Sequence, residues 1–203
     1  MRAAIEELCE ALGAGRSAPP IETWLRFAAL VEVWNARLNL TGARDPRALA
    51  EVLFADALVL SEPRWLPDSA RFVDVGAGAG APAIPLLALR PDLRATLIEP
   101  LRKRVAFLRS ASGTLDLVDR CRIDERKLDD RPVAGAPFDV AVSRATFAPD
   151  EWLRRAAPLS DRVIVLVAAD PLPELPSATL LEERRYELPF SGAPRGVGLY
   201  ALG

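Results

Sequence analysis

The sequence predicts an α/β protein built on a doubly wound, mostly parallel sheet of seven strands, with a helical segment ahead of it and an antiparallel edge at its C-terminal end. Three features carry this expectation. Residues 71–99 (RFVDVGAGAGAPAIPLLALRPDLRATLIE) read as strand, glycine turn, helix and strand. Short apolar runs then alternate with helical stretches as far as residue 168, the rhythm of crossover units that pair strands in parallel. The tail breaks that rhythm with two extended segments joined by a Gly/Pro turn, which suits a terminal antiparallel pair.

Taken in order, residues 3–12 carry apolar side chains at helical spacing and stop at Gly13. Pro19 and Pro20 punctuate the chain. Residues 21–38 then form an amphipathic helix, its apolar positions largely filled by Leu25, Ala28, Ala29, Val31 and Val33. Trp24 and Trp34 read as packing residues, with stacking on a base the second possibility for Trp34. Residues 46–60 form a third helix with Pro46 at a permitted first position, and a polar, proline-bearing link at 61–68 leads to the first strand. Residues 72–75 are short, β-rich and stop at glycine, as a buried strand does. Residues 101–115 form a helix with Val105, Phe107 and Leu108 facing inward, residues 120–124 a third strand and 138–143 a fourth. A short helix at 150–157 precedes the continuous apolar strand RVIVLVA at 162–168, and the terminal strands fall at 179–189 and 197–202.

The chain has 203 residues, half of them hydrophobic and 27% charged, so it is long enough to bury a core and is globular rather than disordered. It reads as one domain over 1–203, with a helical cap at 1–68 and the α/β core at 69–203. No apolar run approaches a membrane span, and the acidic N-terminus lacks a secretory core, so the expected location is the cytoplasm and no membrane partner is expected. Cys9 and Cys121 stand apart without metal-ligand spacing and read as reduced thiols. There is no histidine, which removes His-based triads, His metal sites and imidazole acid–base chemistry. The net charge of −2 does not resemble a strongly basic nucleic-acid binder. The basic residues are nonetheless concentrated: Arg102, Lys103, Arg104 and Arg109, then Arg120, Arg122, Arg126, Lys127 and Arg131.

The 71–99 unit has the chemistry to hold a nucleoside-bearing cofactor. Gly76, Gly78 and Gly80 let the backbone take positive φ and approach a ligand closely, and free amides at the start of the next helix face it. Glu99, nineteen residues beyond Gly80 at the tip of the second strand, can accept from both ribose hydroxyls. The turn reads G-x-G-x-G, not G-x-G-x-x-G, and no Lys-Ser/Thr pair follows, which argues against a dinucleotide or a triphosphate. With Asp74 just before the first glycine, the compact turn suits S-adenosylmethionine, whose carboxylate needs amides and whose ammonium needs an acceptor.

Beyond this unit, residues 39–46 (NLTGARDP), 74–86 (DVGAGAGAPAIPL), 103–109 (KRVAFLR) and 138–145 (FDVAVSRA) resemble, in order and spacing, the RsmG/GidB family. These enzymes methylate N7 of one guanine in bacterial small-subunit (16S) ribosomal RNA. The resemblance runs from about residue 34 to residue 166. It implies a Rossmann-like, S-adenosylmethionine-dependent methyltransferase fold, with 16S rRNA or the 30S subunit as partner and a monomeric state. It implies that Asp74, Gly76, Gly78, Gly80, Ala81 and Glu99 hold the cofactor, that Lys127 and Leu128 flank its adenine, and that Arg144 lies between cofactor and RNA. It places Asn39, Thr41, Asp56, Arg144 and Arg195 on the substrate side. No metal ligand and no acid–base residue is implied, because guanine N7 loses no proton when it attacks a sulfonium methyl.

The chain also departs from the family pattern. Where the family carries Arg-His ahead of an Asp-Ser pair, this chain has Val52, Leu53, Asp56 and Ala57. Val167–Ala168 replace a Lys-Gly, Glu99-Pro100-Leu101-Arg102 replace Asp-Ser-Leu-Gly, and Ala201 replaces a basic residue. These changes keep open an alternative: a relative that retains the cofactor pocket but acts on a smaller substrate, or binds the cofactor without catalysis. An NAD-dependent oxidoreductase is disfavoured by the turn spacing.

Overall fold

The computed structural model describes residues 1–13, 18–130 and 132–203; Arg131 lies outside them. Three helices come first: α1 (Arg2–Leu12), α2 (Ile21–Leu38) and α3 (Pro46–Leu60). The α/β part follows as β1 (Arg71–Val75), α4 (Ala83–Leu89), β2 (Arg94–Glu99), α5 (Arg102–Thr114), β3 (Cys121–Glu125), β4 (Val140–Ser143), α6 (Pro149–Ala156) and β5 (Arg162–Val167). The chain ends in the hairpin β6 (Ala178–Glu187) and β7 (Pro194–Leu202). The sheet order is β3-β2-β1-β4-β5-β7-β6. The first five of these strands are mutually parallel, while β7 lies antiparallel between β5 and β6. The expected seven-stranded sheet with an antiparallel edge is therefore the observed one.

β1 pairs with β2 on one side and β4 on the other, in register Val73 with Thr96 and Asp74 with Val142. The connections leave in opposite directions from this pair, which opens a crevice beyond the carboxyl ends of the strands. Period-2 alternation sorts the strand side chains onto two cores. Phe72, Leu97, Val140, Val142 and Ile164 pack with side chains of α1 to α5. Val73, Val75, Ile98, Ala141, Val163 and Val165 pack with Trp152 and Leu153 of α6. The three N-terminal helices share the first of these cores and do not pack as a separate body.

Asp45 caps α3 by accepting from the amides of Arg47 and Ala48, both at 3.0 Å, and Pro46 follows at the first helical position. The helix is buried almost all round from Leu49 to Leu60, so it runs through the core, and two acids within it, Glu51 and Asp56, are buried too. In α2 the buried stripe is Trp24, Phe27, Ala28 and Val31, the i, i+3, i+4, i+7 face of one helix. Ala29 and Val33, expected on that face, are exposed, Val33 by 70%. Trp34 is half-buried and meets Phe107 edge to face at 5.8 Å, so it packs α2 on α5.

Trp24 ties the cap to the site. Its ring stacks on Phe54 of α3 at 4.6 Å, and its indole donates to the Pro85 carbonyl of α4 at 3.1 Å. Two arginines brace the opposite end of the sheet. Arg90, almost wholly buried, donates to the carbonyls of Ser61 and Leu66 and to Asp92, and Arg120 donates to those of Leu87, Arg90 and Leu93. β6 is the exposed edge, and its Glu182–Arg185 run and a register shift at Leu180/Glu182 discourage further strand pairing. Both cysteines are free, and burial pushes their thiols up to about 11, which keeps them unreactive. None of the described helices is long and apolar enough to cross a membrane.

Replacing Trp24 by Ala removes a fully buried ring and its hydrogen bond. The expected cost is about 3–5 kcal/mol of unfolding free energy, read from urea denaturation. A loss below about 1 kcal/mol would mean that the cap does not depend on this contact.

Candidate functional site

The glycine turn leaves the tip of β1 and is held from below. The Ile98 carbonyl accepts from Gly76 at 2.8 Å and from Ala77 at 3.2 Å, and Gly80 donates to the Ala77 carbonyl at 2.7 Å. The amides of Ala79 and Ala81 take no part in these bonds. α4 starts only at Ala83, so these two amides precede it in the turn. At Gly76 a Cβ would fall 2.0 Å from the Thr146 hydroxyl, so only glycine lets the β4–α6 loop close on the turn. At Gly78, with φ of +52°, a Cβ would meet nothing nearer than a carbonyl oxygen at 3.7 Å, so this residue borders open space.

Asp74 sits just below the turn and is fully buried, and its Oδ2 has no hydrogen-bond partner. Burial is the main reason its pKa rises to about 7; the Arg144 charge opposes that rise and the Glu99 charge adds to it. An unsatisfied buried carboxylate oxygen is costly and is well suited to receive a cation. Glu99 is likewise buried at the tip of β2. One of its oxygens accepts from the Gly78 amide and the other from Leu101, both at 2.9 Å, with the Arg104 guanidinium 4.0 Å away. Glu99 thus anchors the turn, and a carboxylate retains further lone pairs for a ligand. Lys127 is exposed and Leu128 half-buried at the start of the 3₁₀ turn Leu128–Asp130, beyond the tip of β3. The Arg126 guanidinium holds this loop by donating to the carbonyls of Lys127, Leu128 and Pro132.

A second group gathers beyond β4 and β5. Arg144 donates from Nη1 to Asp56 Oδ2 at 2.9 Å and to the Val52 carbonyl at 2.8 Å. Asp56 Oδ1 accepts from the Tyr186 hydroxyl at 2.5 Å. Ala145, next in the chain, has φ of +55°, an unusual conformation for a residue other than glycine that turns the loop back over Gly76. Arg144, Asp56 and Arg195 line one cavity of about 390 Å³, together with Glu51, Phe147 and Asp170. A volume in this range takes a small molecule or one nucleotide base.

Three of the expected substrate residues therefore converge, and two do not join them. Asn39 is the left-handed cap of α2, and Thr41 exchanges hydrogen bonds with the Asn35 side chain at 2.9 and 3.0 Å. Neither lines the cavity. The basic run also divides. Arg120 and Arg126 point into the fold, and Arg102 and Arg109 lie within 4 Å of Glu125, while Lys103 and Arg122 are exposed. Tyr186, Thr146 and Glu51 carried no local signal, because each acts through a partner distant in sequence, while Arg126 showed only as a member of the basic run. Glu51 accepts from the Phe190 and Ser191 amides at 2.6 and 3.0 Å.

The residues present fit the expected cofactor. Asp74 offers an orphaned acceptor for an ammonium, the turn offers amides for a carboxylate, and Gly78 leaves room for close approach. No cluster of possible metal ligands occurs among the described residues.

A family model described as rRNA small subunit methyltransferase G (GidB) matches residues 21–168. Relatives named ribosomal RNA small subunit methyltransferase G include one from Anaeromyxobacter dehalogenans, 35% identical over 93% of this chain and 91% of its own. Another, from Pectobacterium atrosepticum, is 32% identical over 90% of each chain. Among solved structures, a protein in the NADB-Rossmann superfamily from Streptococcus agalactiae superposes with a TM-score of 0.57 at 11% identity, covering 74% of this chain and 69% of that one. TrmN from Thermus thermophilus gives 0.54 at 21% identity, covering 72% of this chain and 48% of that one. These two likenesses establish the Rossmann-like fold.

Two substitutions test the electrostatics. In the fold Asp74 titrates near 7, against about 3.9 in an unfolded chain, so the folded state holds a proton there that the unfolded state has lost. Stability from this group is complete below about pH 4 and is lost as the pH rises through about 7. Asp74→Asn cannot ionise, so relative to wild type it should gain about 2–4 kcal/mol between pH 4.5 and 8.5. A stability difference that does not change with pH would refute the shifted titration. Glu99→Ala strands two backbone amides and should lower stability without any ligand by about 1–3 kcal/mol, visible in a thermal melt.

Proposed function

The chain belongs to the rRNA small subunit methyltransferase G (GidB) family, and from that membership we propose that it methylates N7 of a guanine in 16S rRNA. Its cofactor is S-adenosylmethionine, which supplies a methyl group already activated on a sulfonium, so alignment and not proton transfer is what the protein must provide. We read 1–203 as one methyltransferase domain, with 1–68 as cap and 69–203 as core, acting as a monomer in the cytoplasm on 16S rRNA or the 30S subunit.

The observation that carries the reading is the unpartnered Asp74 Oδ2 beneath an open glycine turn, one strand away from the cavity lined by Arg144, Asp56 and Arg195. Asp74 would accept from the cofactor ammonium, and that cation would keep the buried carboxylate ionised. Gly76, Gly78, Gly80 and Ala81 would present backbone to its carboxylate, with the Ala79 and Ala81 amides as donors. Glu99 would accept from the ribose hydroxyls with the lone pairs its amide bonds leave, and Lys127 and Leu128 would border the adenine. The acceptor guanine would enter the 390 Å³ cavity extruded from its stack. Arg144 and Arg195 would meet its oxygens or phosphates there, with Asp56 holding Arg144. Asn39 and Thr41 would contribute from the rim, outside the cavity. No side chain need act as a general base, which suits a chain without histidine.

The deciding experiment is calorimetric titration with S-adenosylmethionine and its demethylated product, followed by labelled methyl transfer to 30S subunits from an unmethylated strain. Micromolar cofactor binding with transfer of one methyl per subunit is expected. Cofactor binding with no transfer to 30S subunits or naked 16S rRNA would refute the substrate, and no cofactor binding would refute the site. Gly78→Asp should weaken cofactor binding by more than about a hundredfold, because like charges placed in contact cost several kcal/mol. Undiminished affinity in that variant would show that the pocket lies elsewhere.

A further inference from the structure

Arg144 is the cation at the junction of the two halves of the site, and its aim depends on contacts that come from far along the chain. It leaves the tip of β4, where it lines the cavity and its charge reaches Asp74. One guanidinium nitrogen, Nη1, makes both of its side-chain hydrogen bonds, to Asp56 and to the Val52 carbonyl. Nη2 and Nε make none among the described residues. A guanidinium fixed by one corner presents its remaining N–H groups in a defined plane. That holds only while the carboxylate beside it keeps a single orientation.

Asp56 is buried in α3, and its neighbours there cannot fix it: Val52, Leu53 and Ala57 carry no polar side chain. The fixing contact comes from the C-terminal hairpin. The Tyr186 hydroxyl, 130 residues along the sequence, donates to Asp56 Oδ1 at 2.5 Å. Tyr186 stands directly opposite Arg195 in the β6–β7 ladder, so one cross-strand pair delivers both the prop for Asp56 and the second arginine of the cavity. Burial and the Asp56 charge push the phenol above its ordinary range, which keeps it a donor at all working pH values.

We propose that Tyr186 is a positioning residue for methyl transfer: its hydroxyl orients Asp56, and Asp56 aims the free edge of Arg144 into the acceptor cavity. This rests on the assignment of that cavity to the RNA base. It makes the terminal hairpin a working part of the site as well as a sheet edge. It also explains how the chain tolerates an α3 without polar groups flanking Asp56, since the donor arrives from another element.

The test is Tyr186→Phe, which keeps the ring and removes only the hydroxyl, in a double-mutant cycle with Arg144→Lys. Three quantities are read on the full chain: cofactor affinity, kcat and KM for 30S subunits, and solvent exchange of the Arg144 Nε–H proton by NMR, assigned by its disappearance in Arg144→Lys. The expected result for Tyr186→Phe is cofactor affinity within about twofold of wild type and kcat/KM reduced about ten- to hundredfold, the range for losing a hydrogen bond to a charged group. Arg144 Nε–H exchange should be faster. In the cycle the two losses in kcat/KM should not multiply, because both act through one guanidinium. Multiplying losses, or unchanged Arg144 exchange, would overturn the proposal. If wild type transfers no methyl to RNA, the substrate reading fails, while the exchange measurement still decides whether Tyr186 orders Arg144.

Discussion

The site is organised around a carboxylate that has been taken out of water without a hydrogen-bond partner for one of its oxygens. Asp74 lies near the carboxyl end of β1, with β2 and β4 on either side and the glycine turn beyond it. Leaving Oδ2 unsatisfied there opposes folding, and the opposition grows as the group ionises. The surroundings moderate this cost without removing it: Arg144 supplies a positive charge nearby, while Glu99 supplies a negative one. A local cost of this kind is sustained only by stability from elsewhere. The two hydrophobic cores on opposite faces of the sheet provide it.

The same constraint gives the neighbouring elements their roles. The turn must pass closely over Asp74 yet leave an opening, so Gly76 lies under Thr146 with no room for a side chain while Gly78 borders open space. The turn must not collapse into that opening, so Glu99 holds the Gly78 amide from one side and the Ile98 carbonyl holds Gly76 and Ala77 from below. Trp24 and Phe54 press α4 against the underside of this assembly. The N-terminal helices are thus the support on which the turn rests, which is why their most buried aromatic residues lie behind the turn.

Much of this was legible in the sequence because it is local. α2 and α3 have the bounds their patterns predict, set by Pro20 and by the Asp45–Pro46 cap. β1, the glycine turn and the acid of β2 fall within one short unit whose periodicity changes at a glycine. Where pattern and structure differ, the difference is the direction a side chain takes. Ala29 and Val33 extend an apolar pattern but lie off the helix face chosen by Trp24 and Phe27. Arg120 and Arg126 belong to a basic run, yet unsatisfied loop carbonyls draw them inward. Glu99 was placed correctly at its strand tip, but its bonds to the Gly78 and Leu101 amides could not be read from spacing. The Tyr186–Asp56 bond joins residues 130 apart, and nothing in either neighbourhood announces the other.

The inward arginines bear on how an acidic protein would hold a polyanion. Arg120 and Arg126 turn inward to backbone carbonyls, while Arg102 and Arg109, both exposed beside Glu125, and the exposed Lys103 and Arg122 stay within reach of phosphates. Each phosphate contact contributes to the steepness with which salt weakens RNA binding, so turning two cations into the fold lowers that slope in a chain of net charge −2. Selectivity can then draw on the cavity, where two arginines line about 390 Å³ next to the cofactor side of the sheet. A pocket of that kind reads one extruded base by its edges and shape, a contribution that salt does not screen as it screens phosphate contacts.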